Sequence, residues 1–165
     1  PQRWELVHVD PPEESNTDHD IISNFVNLAI GAVDKTLPQC ADYLSIPYPG
    51  DGFLWCAWFV SECANKVGLP IVTSTFAPSL IGVFGNYEFS DENKPKVGDI
   101  ALIHPEDTPP GIHHAGIIVE VNPEENQIIT VEGNMGDKDC PVNDRDVRRC
   151  EYNYDTGTGK KSRGF

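Results

Sequence analysis

Apolar residues recur at two different spacings in this chain, near a 3.6-residue period in its first part and as β-branched runs in its second. Ile21, Ile22, Phe25, Val26, Leu28, Ala29 and Val33 fit one face of a helix, with Asp18 or Asp20 placed to cap its start. A turn-rich stretch, Ile46-Pro47-Tyr48-Pro49-Gly50-Asp51-Gly52, leads into a second helix. There Cys56, Phe59, Val60, Cys63 and Val67 share a face, and Gly68 followed by Pro70 supplies the stop. Ser79 to Phe89 reads as a short third helix, weakened by Gly82 and Gly85. From Lys94 onward the texture changes. Pro95-Lys96-Val97-Gly98-Asp99 is a turn, and Ile100 to Ile103 an apolar strand. His114 to Val121 and Gln127 to Val131 form a hairpin around Asn122-Pro123-Glu124-Glu125-Asn126, and Val147 to Tyr154 adds another strand. Helices first and antiparallel strands second predict an α+β fold. Residues 1–20, acidic and polar with Pro11-Pro12 before Glu13-Glu14, read as an arm or linker ahead of a domain over 21–165.

Length and charge narrow the function classes. A chain of 165 residues suffices for one domain with its own core. Its formal net charge of -14 argues against nucleic acid as a partner, because the short pairs Arg148-Arg149 and Lys160-Lys161 make no basic stripe for phosphates. Anionic membrane surfaces are disfavoured for the same reason, and no apolar run approaches the roughly 20 residues of a spanning helix. Pro1 carries neither an initiator methionine nor a signal-peptide pattern, so the chain reads as processed or as an excised domain.

Five cysteines allow two disulfides and one free thiol. On one helix, Cys56 and Cys63 would lie about 10.5 Å apart, beyond the roughly 7 Å that a bridge spans between Cα atoms. Cys140 and Cys150 flank a polar segment that a bridge would staple, which leaves Cys40 to Cys63 and keeps Cys56 free. A reduced protein with ordinary buried cysteines is the equal alternative.

Cys56 stands out chemically because it sits at the start of its helix, where unpaired N–H groups and the helix dipole favour a thiolate. His114 opens one strand of the hairpin, and Glu132 and Asn134 close the other. A cysteine on a helix, a histidine on a facing strand and a polar residue on the next strand form a nucleophile, a base and an orienting group. His113 is a rival base, but in a strand it points to the opposite face. Taken singly, a helical cysteine is most often inert packing, Glu132 a solvated hairpin carboxylate and Asn134 a turn former beside Gly133. Trp55 and Trp58 are either the lining of a substrate groove or core. Asp137, Asp139, Asp144 and Asp146 read as a solvated acidic loop, and the histidines and cysteines do not fall into zinc-ligand spacing.

Four blocks occur in order: Trp55-Cys56-Ala57-Trp58-Phe59-Val60-Ser61, Pro95-Lys96-Val97-Gly98-Asp99-Ile100, His114-Ala115-Gly116-Ile117-Ile118-Val119 and Val131-Glu132-Gly133-Asn134. Together they resemble a CHAP domain, the cysteine, histidine-dependent amidohydrolase/peptidase family of peptidoglycan hydrolases. The likeness extends over roughly 21–165, with Val147-Arg148-Arg149 and Gly164-Phe165 similar to the family's last two strands. It implies a papain-like fold, Cys56 as nucleophile, His114 as general base, Glu132 as the residue orienting it and Asn134 as a further polar member. It also implies peptidoglycan as substrate and an extracytoplasmic location in a secreted enzyme or one encoded by a phage or mobile element; the acidic charge, which anionic wall polymers repel, adds the expectation of a separate wall-binding domain or bound cations. Some members bind calcium before the cysteine. Asp42 and Asp51 are the carboxylates there, yet the dense run of oxygen ligands is missing, so no cofactor is expected. The alternatives are an NlpC-type endopeptidase and a non-catalytic wall-binding module that keeps the fold.

Overall fold

The computed structural model describes residues 3–9, 18–69, 75, 87–88, 94–104, 114–136, 139–153 and 159–160. Helices α1 (Asp18–Gly31), α2 (Leu37–Leu44) and α3 (Cys56–Lys66) precede most of the sheet in sequence. The sheet comprises β1 (Arg3–Val7), β2 (Tyr87–Glu88), β3 (Ile100–His104), β4 (His114–Asn122), β5 (Gln127–Met135), β6 (Asp146–Asn153) and β7 (Gly159–Lys160). Their spatial order is β2-β1-β3-β4-β5-β6-β7, and every neighbouring pair is antiparallel. This is the α+β arrangement that the two periodicities anticipate, with a β4–β5 hairpin closed by a short 3-10 turn over Pro123–Glu125.

Successive strand residues face opposite sides of a sheet, and the central strands are apolar on both. Ile100 and Leu102 pack on the helical side with Phe25, Trp55 and Phe59. Ala101 and Ile103 face the other way, into a smaller cluster with Leu6, Ile118, Ile128 and Tyr152. Residues at the middle of the chain's strands are therefore buried from both directions, which explains runs such as Ile117-Ile118-Val119 in which no polar residue alternates.

Two expectations need correction, and one element was missed. Part of the supposed arm, Arg3–Val7, is an inner strand paired with β3 over its whole length, and Leu6 and Val7 are fully buried. Five residues carry too little pattern to reveal a partner about a hundred positions away. Tyr87 and Glu88, read as the end of a helix, form β2 against β1; the rest of that proposed helix, 79–86 and 89, lies outside the described residues. Helix α2 went unread because it has only eight residues, with proline in its first turn. Gln39 reaches back to accept the Thr36 N–H at 2.9 Å, half of a capping box that starts it.

Of the two cysteine alternatives the reduced one is found: all five cysteines are free thiols. Cys150 is buried on β6 with its thiol directed to Glu132, whereas Cys140 lies in the preceding loop, its thiol 3.6 Å from the Pro141 carbonyl. Cys40 and Cys63 occupy the same apolar core and interact electrostatically, but burial keeps both protonated, with Cys40 pushed up to about 12.

Candidate active site

Cys56 is the first residue of α3, at the end where backbone N–H groups lack intrahelical partners. The helix start is pressed tightly onto β5. A Cβ on Gly133 would lie 2.8 Å from Phe59 Cβ and 2.9 Å from Trp55 Cζ3, so only glycine lets the cysteine helix come this close to the strand that carries Glu132. Cys56 itself is 7 % exposed.

His114 begins β4, and its ring is hydrogen-bonded to Cys56. Its Nε2 lies 2.6 Å from Glu132 Oε1. With Nε2 occupied by the carboxylate, Nδ1 is the nitrogen left to face the sulfur. Glu132 is fully buried, and a second glycine makes room for it: a Cβ on Gly116 would lie 2.6 Å from Glu132 Cγ. The spacing His114-x-Gly116 thus places the imidazole and the gap for its carboxylate partner on one face of the same strand.

The electrostatics follow from this packing. For Cys56, burial opposes ionisation, but the His114 charge, a hydrogen bond from its ring and the backbone N–H groups of Ala115 and Ala57 outweigh it, and the thiol titrates below its ordinary value. For His114, burial alone would favour the neutral ring. Glu132 and the Cys56 thiolate overcome it and raise the imidazole to about 10. Burial would likewise protonate Glu132, but the His114 charge and hydrogen bonds from His114, Cys150 and Thr130 hold it at about 2. At neutral pH His114 and Glu132 therefore stand as imidazolium and carboxylate, and their charges ease ionisation of the Cys56 thiol beside them. Such a set has an activated nucleophile beside a group able to give and take a proton.

The other residues singled out by sequence lie elsewhere. Asn134 adopts a left-handed backbone, φ 61°, at an irregularity between β5 and β6, and its Oδ1 accepts from Arg145 Nη1 at 3.4 Å. It bends the end of β5 at this irregularity, a left-handed position that asparagine tolerates. Trp55 and Trp58 do not line a groove: they are 0 % and 4 % exposed, and Trp58 packs edge-on against Phe53. Trp55 presses on Gly133 of β5 and both indoles belong to the main apolar core, a position that large apolar area wins over solvent. His113 and Asp137 lie outside the described residues. Asp42 and Asp51 stand apart, with Asp51 accepting a hydrogen bond from the Tyr48 hydroxyl and Asp42 bordering an open depression of about 590 Å³ between α1 and α2. Among the described residues no three His, Cys, Asp or Glu side chains converge as a metal site.

Two further features were not legible in sequence. Asp99, assigned to a turn, is buried and accepts from His8 Nδ1 at 2.7 Å and from the Lys96 N–H at 2.9 Å, fastening β1 to the start of β3. Thr130 and Tyr152 both donate to Glu132. Thr130, two positions before Glu132 on its strand, carried a period-2 signal; Tyr152 is brought there only by strand pairing.

A search of curated proteins and of solved structures finds no match to this chain. The CHAP domain family, by contrast, matches residues 48–134, more than half the chain, spanning Cys56, His114 and Glu132. With helices ahead of an antiparallel sheet and a cysteine at a helix start, the chain belongs to the CHAP family, whose members are typically peptidoglycan hydrolases.

Proposed function

We propose that this chain is a cysteine hydrolase that cleaves an amide bond of peptidoglycan, either N-acetylmuramoyl–L-alanine or a peptide bond of the stem or cross-bridge. The observation that carries this reading is the Cys56 thiol held below its ordinary pKa beside an imidazole raised to about 10 by buried Glu132. The thiolate Sγ attacks the carbonyl carbon. The charge that builds on oxygen meets the backbone N–H of Cys56 at the helix start. As the C–N bond breaks, His114 gives its proton to the departing nitrogen, leaving a thioester on Cys56. Neutral His114 then takes a proton from water as the water oxygen attacks the thioester. The new carboxyl product leaves, and the thiolate and imidazolium are restored. Glu132 remains ionised throughout and holds the ring in place.

Asn134 enters this scheme through the shape of the strand end, not through contact with the reacting atoms. No cofactor is required by these steps. The substrate lies outside the cytoplasm, so the site of action is the wall. With a formal charge of -14 the chain is repelled by anionic wall polymers, and we infer that a separate binding module or bound cations bring it there.

The test is digestion of purified cell walls, with mass spectrometry of the released muropeptides to name the bond. Cys56→Ala is expected to abolish release, and full lytic activity in that variant would refute the mechanism. Iodoacetamide at pH 6 is expected to modify Cys56 first, because buried Cys40 and Cys63 stay protonated. No reactive thiol at Cys56 would favour a non-catalytic wall-binding module.

A further inference from the structure

Glu132 is a carboxylate with no exposure to solvent, a costly state unless its oxygens are fully engaged. The His114 contact engages only one side. Three other donors reach the same group. Thr130 Oγ1 donates to Oε2 at 2.8 Å. The Tyr152 hydroxyl lies 3.0 Å from Oε1 and 2.8 Å from Oε2, bridging both. The Cys150 thiol donates as well. All three side chains are themselves buried, at 0 %, 1 % and 1 % exposure. They come from two strands, Thr130 on β5 and the pair Cys150 and Tyr152 on β6, and Thr130 is the residue directly opposite Cys150.

From this geometry we infer that Thr130, Cys150 and Tyr152 are positioning residues of the active site: a donor clamp that keeps Glu132 ionised and aimed at His114. The inference rests on the hydrolase reading of the site and adds residues to it. The physical need is specific. Every neutral donor stabilises the carboxylate relative to the carboxylic acid, and a protonated Glu132 would no longer attract the imidazolium. Other charged groups cannot substitute. Arg148 stands opposite Glu132 in the β5–β6 register, but its guanidinium turns to Asp146, 2.6 Å away. Among the described residues, the remaining titratable groups in contact are His114 and, through it, Cys56. A hydroxyl-for-methyl exchange in this clamp should therefore be felt at the carboxylate before it is felt anywhere else.

The experiment follows the carboxyl carbon of Glu132 by ¹³C NMR across pH in the 165-residue chain and in Thr130→Val, Tyr152→Phe and Thr130→Ser. Loss of one hydrogen bond to a charged group is expected to move the Glu132 titration up by roughly one to two pH units. Thr130→Ser keeps the donor and should leave it near its original value. In the double variant Thr130→Val with Tyr152→Phe, the acid edge of Cys56 alkylation should rise along with the carboxyl titration. An unchanged Glu132 titration in Thr130→Val and Tyr152→Phe would overturn the clamp, and so would equal shifts in Thr130→Val and Thr130→Ser, which would mark a packing effect. Should the variants not fold, the unaltered chain still decides: a Glu132 resonance titrating like an ordinary glutamate would refute it, whereas one ionised down to about 2 supports it. None of these readouts uses peptidoglycan. Failure of the clamp thus leaves lytic activity and its Cys56 dependence standing, and failure of the hydrolase reading leaves the Glu132 titration standing.

Discussion

Replacing Gly116 by alanine adds one methyl group beneath the site, and its consequences can be worked out from distances. The new Cβ would lie 2.6 Å from Glu132 Cγ and 3.2 Å from Thr130 Cβ. Carbon atoms settle at about 3.5 Å or more, so the glutamate stem must retreat by about 0.9 Å. It cannot swing into solvent, since Glu132 is fully buried, and Thr130 blocks the neighbouring space. Retreat lengthens the 2.6 Å approach to His114 Nε2 to about 3.5 Å, the outer limit for a hydrogen bond. Overpacking of this kind costs about 1–3 kcal/mol. Weakening a bond to a buried charged group adds about 1.5–3 kcal/mol if it is lost outright. The expected destabilisation in a urea unfolding curve is thus about 1–3 kcal/mol if the bond is kept and up to about 6 kcal/mol if it is lost, accompanied by a higher pH midpoint for alkylation of Cys56. Stability within about 0.5 kcal/mol of the parent, with an unchanged alkylation profile, would show that the site accommodates the methyl and that the glycine is not what admits the carboxylate.

The pH dependence of stability should have two limbs. Glu132 has a folded pKa of about 2 against an ordinary value of 4.5, so its contribution is complete above 4.5 and is lost as pH falls through about 2. His114, raised from 6.5 to about 10, contributes fully below 6.5 and loses that contribution as pH rises through about 10. Unfolding midpoints measured across pH should show both in force between 4.5 and 6.5, and Glu132→Gln should remove its part of the acid limb; an unaltered acid limb in that variant would count against the assignment. Hydrolysis should fall above about pH 10, where His114 loses the proton owed to the leaving nitrogen, and a rate still rising there would contradict its role as acid. Asp99→Ala deprives His8 and the Lys96 N–H of a buried acceptor and should cost about 2–3 kcal/mol. A denaturation curve shifted by less than about 0.5 kcal/mol would mean that β1 is held by strand pairing alone.

Periodicity placed α1, α3 and strands β3 to β6 close to where they stand, because each buries enough apolar residues at one spacing to leave a pattern. The same logic made Cys56 conspicuous, since a cysteine at a helix start differs chemically from one in mid-helix. Short elements escaped it. Five residues of β1 and eight of α2 are too few to carry a period, and their positions follow from partners far along the chain. The tryptophans beside Cys56 illustrate another limit. Their residue type suits a binding groove and a core equally, and Gly133 determines the outcome by letting Trp55 press against β5.

Local order along the chain was sufficient to nominate a nucleophile, a base and an acid, because thiol, imidazole and carboxyl chemistry is written in residue type. Whether they work as a set depends on quantities that no single segment contains. The Cys56 thiolate needs the His114 charge from another element, and His114 needs a carboxylate kept ionised without water. That carboxylate is held by donors from β5 and from β6, whose alignment is a matter of strand register. Folding sets the proton balance of these ordinary side chains because burial removes solvent and leaves only the neighbours to decide where each proton sits.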